Sequence, residues 1–242
     1  MKFEEFFLPE RIMRQKLISE LEEEGKVEIN NDCIIFKRGN PSYVCLTAHT
    51  DTVLDPKIKT KINPRWYRAN GVDDRAGCYC IYHIIKNTDE PLMALFTTGE
   101  ELGGIGSSAV EINDDILYFI QFDMQSVDLC AFYDVYTQEF RDDVMRLLPE
   151  HRDVRGTFTD ICIFGERFNR CGVNLSIGYF DNHSDHELLC LDGVDLAIKS
   201  GLILLKNMKK KYVLTPRKTI SDDVSYSPEF LDWWKNYKHN IK

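Results

Sequence analysis

The 242-residue chain predicts an α/β fold, with a mixed, mostly parallel central sheet and helices on both of its faces. Three observations predict it. Continuous apolar runs at residues 43–48, 92–97, 116–122 and 173–178 read as strands buried on both sides. Helix-forming stretches alternate with them, the pattern of a layered sheet. A residue capable of chemistry follows each apolar run, and the carboxyl ends of strands are where such sheets place ligands.

The elements follow in order. Residues 10–24 carry Ile12, Leu17, Ile18 and Leu21 among charges; they open after Pro9 and stop at Gly25, which predicts an amphipathic helix. Short strands are expected at 26–29 and 33–37, then the buried strand at 43–48, rich in apolar and β-branched residues. The polar stretch up to Val72 contains Pro56 and Pro64 and reads as a loop with one short strand at most. Residues 74–86 predict a helix with Ala76, Cys80, Ile81, Ile84 and Ile85 inward. The strand at 92–97 leads into a Gly-rich turn and a short helix around 107–110. After the strand at 116–122, helices are expected at 138–148 and 160–166, a strand at 173–178, and a last helix from 194 to 208. No repeat and no Gly-, Ser- or Pro-rich linker interrupts the chain, so one domain over residues 1–242 is expected.

Composition narrows the function. Hydrophobic residues make up 43%, enough for a sizeable core and too many for a disordered chain. A net charge of −9 makes the surface repel nucleic acid. Lys209, Lys210 and Lys211 read as a solvated helix end rather than a nucleic-acid patch. Glu4, Glu5 and Glu10 break the N-terminal stretch, and no run reaches the length of a membrane span, so neither an export signal nor a membrane partner is expected. Cys78 and Cys80 are the one close pair among eight cysteines; they read as small core residues, not ligands. Free thiols point to a reducing cytoplasm.

The chemistry lies at the strand ends. His49-Thr50-Asp51 follows the strand at 43–48, Glu100-Glu101 the one at 92–97, Asp123 the one at 116–122, and Asp181-Asn182-His183 the one at 173–178. Asp73 and Asp74 sit at the mouth of the helix at 74–86. Singly, such an Asp is a cap or turn residue, and a lone His a hydrogen-bonded bystander. Jointly they bring several carboxylates to one sheet edge, where like charges repel. A divalent cation reverses that repulsion. Imidazole and carboxylate without thiolate suit zinc, cobalt or manganese.

These strings resemble the di-metal exopeptidase superfamily, which includes zinc aminopeptidases of the tetrahedral and glutamyl types and related carboxypeptidases and deacylases. His49-Thr50-Asp51 is similar to the first-ligand strand end, Asp73-Asp74-Arg75-Ala76-Gly77 to the metal-bridging motif, and Gly99-Glu100-Glu101 to the paired glutamates. Phe122-Asp123-Met124 is similar to the third carboxylate, Thr159-Asp160 to a Gly-Thr-Asp segment, and His183-Ser184 with Glu187 to the closing motif. They run in family order from about Val44 to Met208.

The resemblance implies roles. Two divalent ions, zinc by default, would be held by Asp73 as the bridge, His49 and Asp123 on one side, and Glu101 and His183 on the other. Asp51 would orient the His49 imidazole, and Glu100 would be the general base. The Asp73–Asp74 peptide would be cis. Asp74 stands as the alternative to Asp73, and His186 as the alternative to His183; His83, His151 and His239 are expected to be non-ligands. The implied activity is hydrolysis of a peptide amide bond by an aminopeptidase acting on short peptides. The alternatives are a deacylase acting on acylated amino acids, a carboxypeptidase, and a non-catalytic binding module. Many relatives insert a lid or dimerisation domain. Here 24 positions separate His49 from Asp73 and 60 separate Asp123 from His183, too few for such an insertion. Phe158, Tyr179 and Phe180 are expected to line an apolar pocket.

Overall fold

In a computed structural model of the chain, residues 1–39 and 41–214 are described. A 3-10 turn at Phe3–Phe7 precedes helix α1 (Glu10–Glu22) and strands β1 (Lys26–Asn30), β2 (Cys33–Arg38) and β3 (Tyr43–His49). Then come β4 (Lys57–Asn63), β5 (Trp66–Asn70), α2 (Val72–Lys86), β6 (Leu92–Thr97), α3 (Ile105–Ala109) and β7 (Ile116–Met124). After β8 (Leu129–Ala131), α4 (Gln138–Leu147), β9 (Arg152–Asp153) and α5 (Asp160–Phe168) follow β10 (Gly172–Ser176), β11 (Tyr179–Phe180), β12 (Leu188–Cys190) and α6 (Leu191–Asn207).

Eight strands form the main sheet in the order β1-β2-β6-β3-β7-β10-β8-β9. The middle of the sheet is parallel: β3 pairs with both β6 and β7, and β7 pairs with β10. The left edge and the β10–β8 pair are antiparallel. Every residue of β3 and β6 is buried, as a strand covered on both faces requires. Alternate side chains divide between two layers. Val44, Leu46, Leu92, Ala94, Phe96, Tyr118 and Ile120 pack with α1, α2, α4 and α6. Tyr43, Cys45, Met93, Leu95 and Phe119 pack with Ile161 and Phe164 of α5. The sheet is therefore mixed, parallel at its centre and covered on both sides.

The stretch expected as a loop departs most from the sequence reading. Residues 57–63 and 66–70 form the antiparallel hairpin β4–β5, and β5 pairs with β12, which pairs with β11. This second, four-stranded sheet brackets the segment that carries Asp181, Asn182 and His183. Pro56 and Pro64 lie just outside the two strands, as ladder hydrogen bonding demands. Other differences are matters of boundary. Strand 10 ends at Ser176 because Gly178 turns the chain with φ +88°, and α6 begins at Leu191 rather than 194. The regular part of α2 begins after Asp74, since Asp73 and Asp74 have non-helical dihedrals, and the peptide between them is cis.

Gly77 shows how closely α2 meets the sheet. A Cβ there would lie 2.0 Å from the Phe122 carbonyl oxygen and 2.2 Å from Asp74 Oδ1. Only a hydrogen fits, and this contact sets the depth at which Asp73 and Asp74 enter the sheet edge. Cys78 and Cys80 are fully buried on the same helix. Lys209, Lys210 and Lys211 lie beyond the end of α6 and pair with Glu90, Glu139 and Asp115. His239 lies outside the described residues.

Candidate active site

The carboxyl ends of β3, β6 and β7, the start of α2 and the segment after β11 meet at one place. His49 closes β3, fully buried. Its Nε2 lies 3.2 Å from Asp73 Oδ1 and 3.7 Å from Asp123 Oδ1. The other oxygen of Asp73 lies 3.2 Å from Nε2 of His183, which in turn lies 3.1 Å from Glu101 Oε1. Two groups of three thus share one carboxylate: His49, Asp73 and Asp123; and Asp73, Glu101 and His183. In each, the candidate ligand atoms lie within 4.8 Å of one another.

Those spacings suit a cation better than direct hydrogen bonds. Two ligands about 2.0–2.1 Å from a common tetrahedral ion are roughly 3.3 Å apart, whereas a charge-assisted N–H···O bond is usually about 2.7–2.9 Å. Glu101 Oε1 is buried and accepts no hydrogen bond, although it faces the His183 ring. An orphaned carboxylate oxygen of this kind is costly unless a cation meets it. The donor set is nitrogen and oxygen only, which suits zinc, cobalt or manganese.

Electrostatics points the same way. Burial, then the charge of Asp123, pushes Glu100 up to about 8. Burial and the charge of Asp73 push Glu101 up to about 7 and Asp123 to about 6. Burial opposes ionisation of Asp73, yet hydrogen bonds from His183 and His49 win and hold it well below the carboxylate range. The Asp73 carboxylate raises His183 to about 9. Burial disfavours a charged His49, but Asp123, Asp51 and Asp73 outweigh it and raise that imidazole too. Packed this closely, the acids and imidazoles of the cluster favour positive charge among them, whether as protons or as a cation.

The surrounding residues fix these groups. His49 Nδ1 meets the Asp51 carbonyl oxygen at 3.0 Å and the Asp51 carboxylate at 3.4 Å. That carboxylate also accepts the backbone N–H groups of Glu100 and Glu101, at 3.3 and 3.2 Å. Asp51 therefore ties the imidazole to the glutamate turn, which bends through Gly99, Gly103 and Gly104, all at positive φ. Glu100 Oε2 lies 3.9 Å from His49 Nε2. Asp123 is held by Thr159, whose hydroxyl donates at 2.6 Å, by Gln121 at 2.9 Å, and by backbone bonds to the Asn174 amide.

Of the two pairs of alternatives, Asp73 and His183 fall within the groups of three, and Asp74 and His186 fall outside them. Asp74 faces away from the cluster: its carboxylate accepts the backbone N–H groups of His49 and Gly77. His186 is exposed and belongs to neither group of three, whereas His183 belongs to one. Glu187 accepts the backbone N–H of His183 at 2.9 Å and that of Val72 at 3.1 Å. His83 and His151 stand outside both groups.

Sequence reasoning missed several supporting residues. Asn182 donates to Asp73 Oδ2 at 2.8 Å, the oxygen that faces His183. Gln121 was legible only as a polar residue inside an apolar strand. Nothing local marks Asn174 or Tyr133, whose hydroxyl accepts from the Asn174 amide at 3.0 Å. A cavity of about 340 Å³ opens on the cluster, lined by Asp73, Glu100, Asp123, Tyr133, Tyr179 and the 155–158 segment. Phe158 and Tyr179 line it; Phe180 instead stacks on Trp66.

The family described as Peptidase family M28 matches residues 33–153, half of the chain. Those residues run from β2 to β9 and include every cluster residue except His183. No curated protein sequence matches. Among solved structures, the chain is similar to the TET1 peptidase of Pyrococcus horikoshii, at 14% identity and a TM-score of 0.67, covering 81% of this chain and 94% of that one. It is also similar to aminopeptidase PepT of Bacillus cereus, at 13% identity and a TM-score of 0.68, covering 84% and 96%. Aminopeptidase APDkam598 of Desulfurococcus kamchatkensis shares 12% identity at a TM-score of 0.67, covering 84% and 94%. At these identities the likeness is one of fold.

Proposed function

The chain belongs to peptidase family M28, and from that premise we propose that it is a di-metal aminopeptidase acting on short peptides. The observation that carries this reading is the Asp73 carboxylate, whose two oxygens each lie 3.2 Å from a different imidazole. We assign Asp73 as the bridging ligand, His49 and Asp123 to one ion, and Glu101 and His183 to the other, with zinc the default and cobalt or manganese the alternatives. Such a pair of ions supplies a water of lowered pKa and polarises the scissile carbonyl.

The chain's own residues do the rest. Glu100 stands beside the cluster without belonging to either group of three, so its carboxylate is free to take a proton from water and pass it to the leaving amine. Burial holds its affinity for a proton high, and cations in the two groups would draw that affinity down towards neutrality. Asp51 holds both glutamates by their amides, which lets one glutamate face a metal while its neighbour faces substrate. Membership of a peptidase family ranks aminopeptidase ahead of deacylase. The solved relatives named above as aminopeptidases support the same choice.

A single catalytic domain without an inserted lid fits the spacing of the five assigned ligands. Among the described residues no helix is long and apolar enough to cross a membrane. Eight unpaired cysteines support a reducing compartment, and we place the protein in the cytoplasm. The test is a panel of free-amino peptides and N-acyl amino acids, assayed after chelation and after adding back zinc, cobalt or manganese. Metal-restored cleavage of the free-amino peptides is expected. Turnover confined to N-acyl substrates, or absent with every metal, would contradict the reading.

A further inference from the structure

The geometry points to Arg155 as the residue that selects substrates bearing a carboxylate. The cavity on the cluster is lined both by Asp73, Glu100 and Asp123 and by Arg155, an exposed side chain. Guanidinium groups elsewhere are mostly engaged. Arg65 meets Asp192 and Asp195, Arg141 meets Asp153, and Arg152 meets Asp128. Among the described residues, only the guanidinium groups of Arg11, Arg68 and Arg155 make neither a hydrogen bond nor an ion pair, and of these only that of Arg155 belongs to a residue lining this cavity. Arg155 also lines a second cavity of about 590 Å³, with Tyr133, Gly156, Thr157 and Phe158 common to both. A ligand reaching from the catalytic carboxylates into the second cavity passes this guanidinium.

Charge decides what that ligand carries. The protein's net charge is −9 and Asp73 and Asp123 are assigned to the ions, which leaves Arg155 as the unpaired arginine that lines both cavities and can receive an anionic group there. Arginine cannot be deprotonated in a protein, and its planar fork of N–H donors matches a carboxylate two bonds at a time. The inference rests on the aminopeptidase reading: the amino-terminal end of the substrate lies at the cluster, and a substrate carboxylate lies at Arg155. That carboxylate belongs either to the C-terminus of a short peptide or to an acidic side chain.

The test compares kcat and KM for Leu-Gly-Gly with its C-terminal amide, and for Leu-Glu-amide with Leu-Gln-amide, in the wild-type protein, Arg155→Gln and Arg155→Lys. Binding of Gly-Gly and its amide to the metal-free protein, by calorimetry, gives a readout independent of turnover. The wild-type protein is expected to favour the carboxylate member of one pair by about tenfold or more, through KM, as a charge-assisted bond provides. Arg155→Gln brings that ratio towards one, and Arg155→Lys keeps part of it. A preference within the first pair assigns the C-terminal carboxylate; within the second, the side chain. Cleavage with no preference, or with one that Arg155→Gln leaves intact, overturns this inference alone. No cleavage of any peptide with any metal overturns the aminopeptidase reading, and this inference with it.

Discussion

Glu187 Oε1 accepts the backbone N–H of His183 at 2.9 Å, and the same carboxylate reaches the Val72 N–H with its other oxygen. One buried side chain thereby joins the segment bearing His183 to the residue before Asp73. His183 sits at φ +61°, a left-handed conformation that costs energy without glycine, and the Glu187 bond helps to hold it. Glu187→Ala is expected to weaken metal binding about 10–100-fold, measured by competition with a chromophoric chelator. Unchanged affinity would show that Glu187 plays no part in setting the site.

Glu100 is proposed as a proton carrier rather than a ligand, so its removal separates chemistry from metal binding. Glu100→Gln keeps the shape and removes the base. A fall in kcat of about 10²–10⁴-fold is expected, with metal content unchanged by elemental analysis. Full activity in this variant, or loss of metal with it, would refute the assignment.

The metal-free protein should lose stability as pH rises. Folding raises Glu101 from 4.5 to about 7, Glu100 from 4.5 to about 8 and His183 from 6.5 to about 9. A group raised in this way contributes stability that is complete below its unfolded value and is lost as pH climbs through its folded one. Asp73 has the opposite sign but titrates below this window, and His83 and His151, lowered from 6.5 by burial, oppose the trend only in its lower part, where the larger shifts of the three groups above outweigh them. The Tm of chelated protein should therefore decline from about pH 5 to about pH 9. Bound zinc should flatten the slope, with protons released on binding. A Tm that rises with pH across that interval would contradict this picture.

Gly77→Ala tests the packing beneath the site. The new methyl would overlap the Phe122 carbonyl, which is backbone and cannot swing away. It would also displace the Asp74 carboxylate that holds the His49 amide. Overpacking of this kind costs about 1–3 kcal/mol and sometimes more. Urea denaturation should show a loss at the upper end of that range or beyond; a variant as stable as the parent would mean that the helix moves freely.

Much of this was legible because buried parallel strands announce themselves. Residues 43–48, 92–97 and 116–122 are continuous apolar runs, and reading one to four positions past each one finds His49, the two glutamates and Asp123. The hairpin at β4 and β5 was not legible, for a physical reason. Of the β4 residues only Ile58 is even partly buried, so no alternation records a buried face. Its stability comes from pairing through β5 with β12, more than a hundred positions away. Supporting groups were hidden in the same way. Asn174 reaches Asp123 from β10, a neighbour only after folding, Gln121 two positions away on β7 looks like any polar residue in an apolar strand, and Asn182 sits beside His183 in sequence but gains its role from where Asp73 arrives.

Metal stoichiometry on the purified chain, set beside that of Asp73→Asn, bears most directly on the shared carboxylate. Two ions per chain are expected for the parent protein, with the pair lost together or reduced to one weakly held ion in the variant. A parent protein that binds no divalent ion, or an Asp73→Asn protein that still binds two tightly, would contradict it.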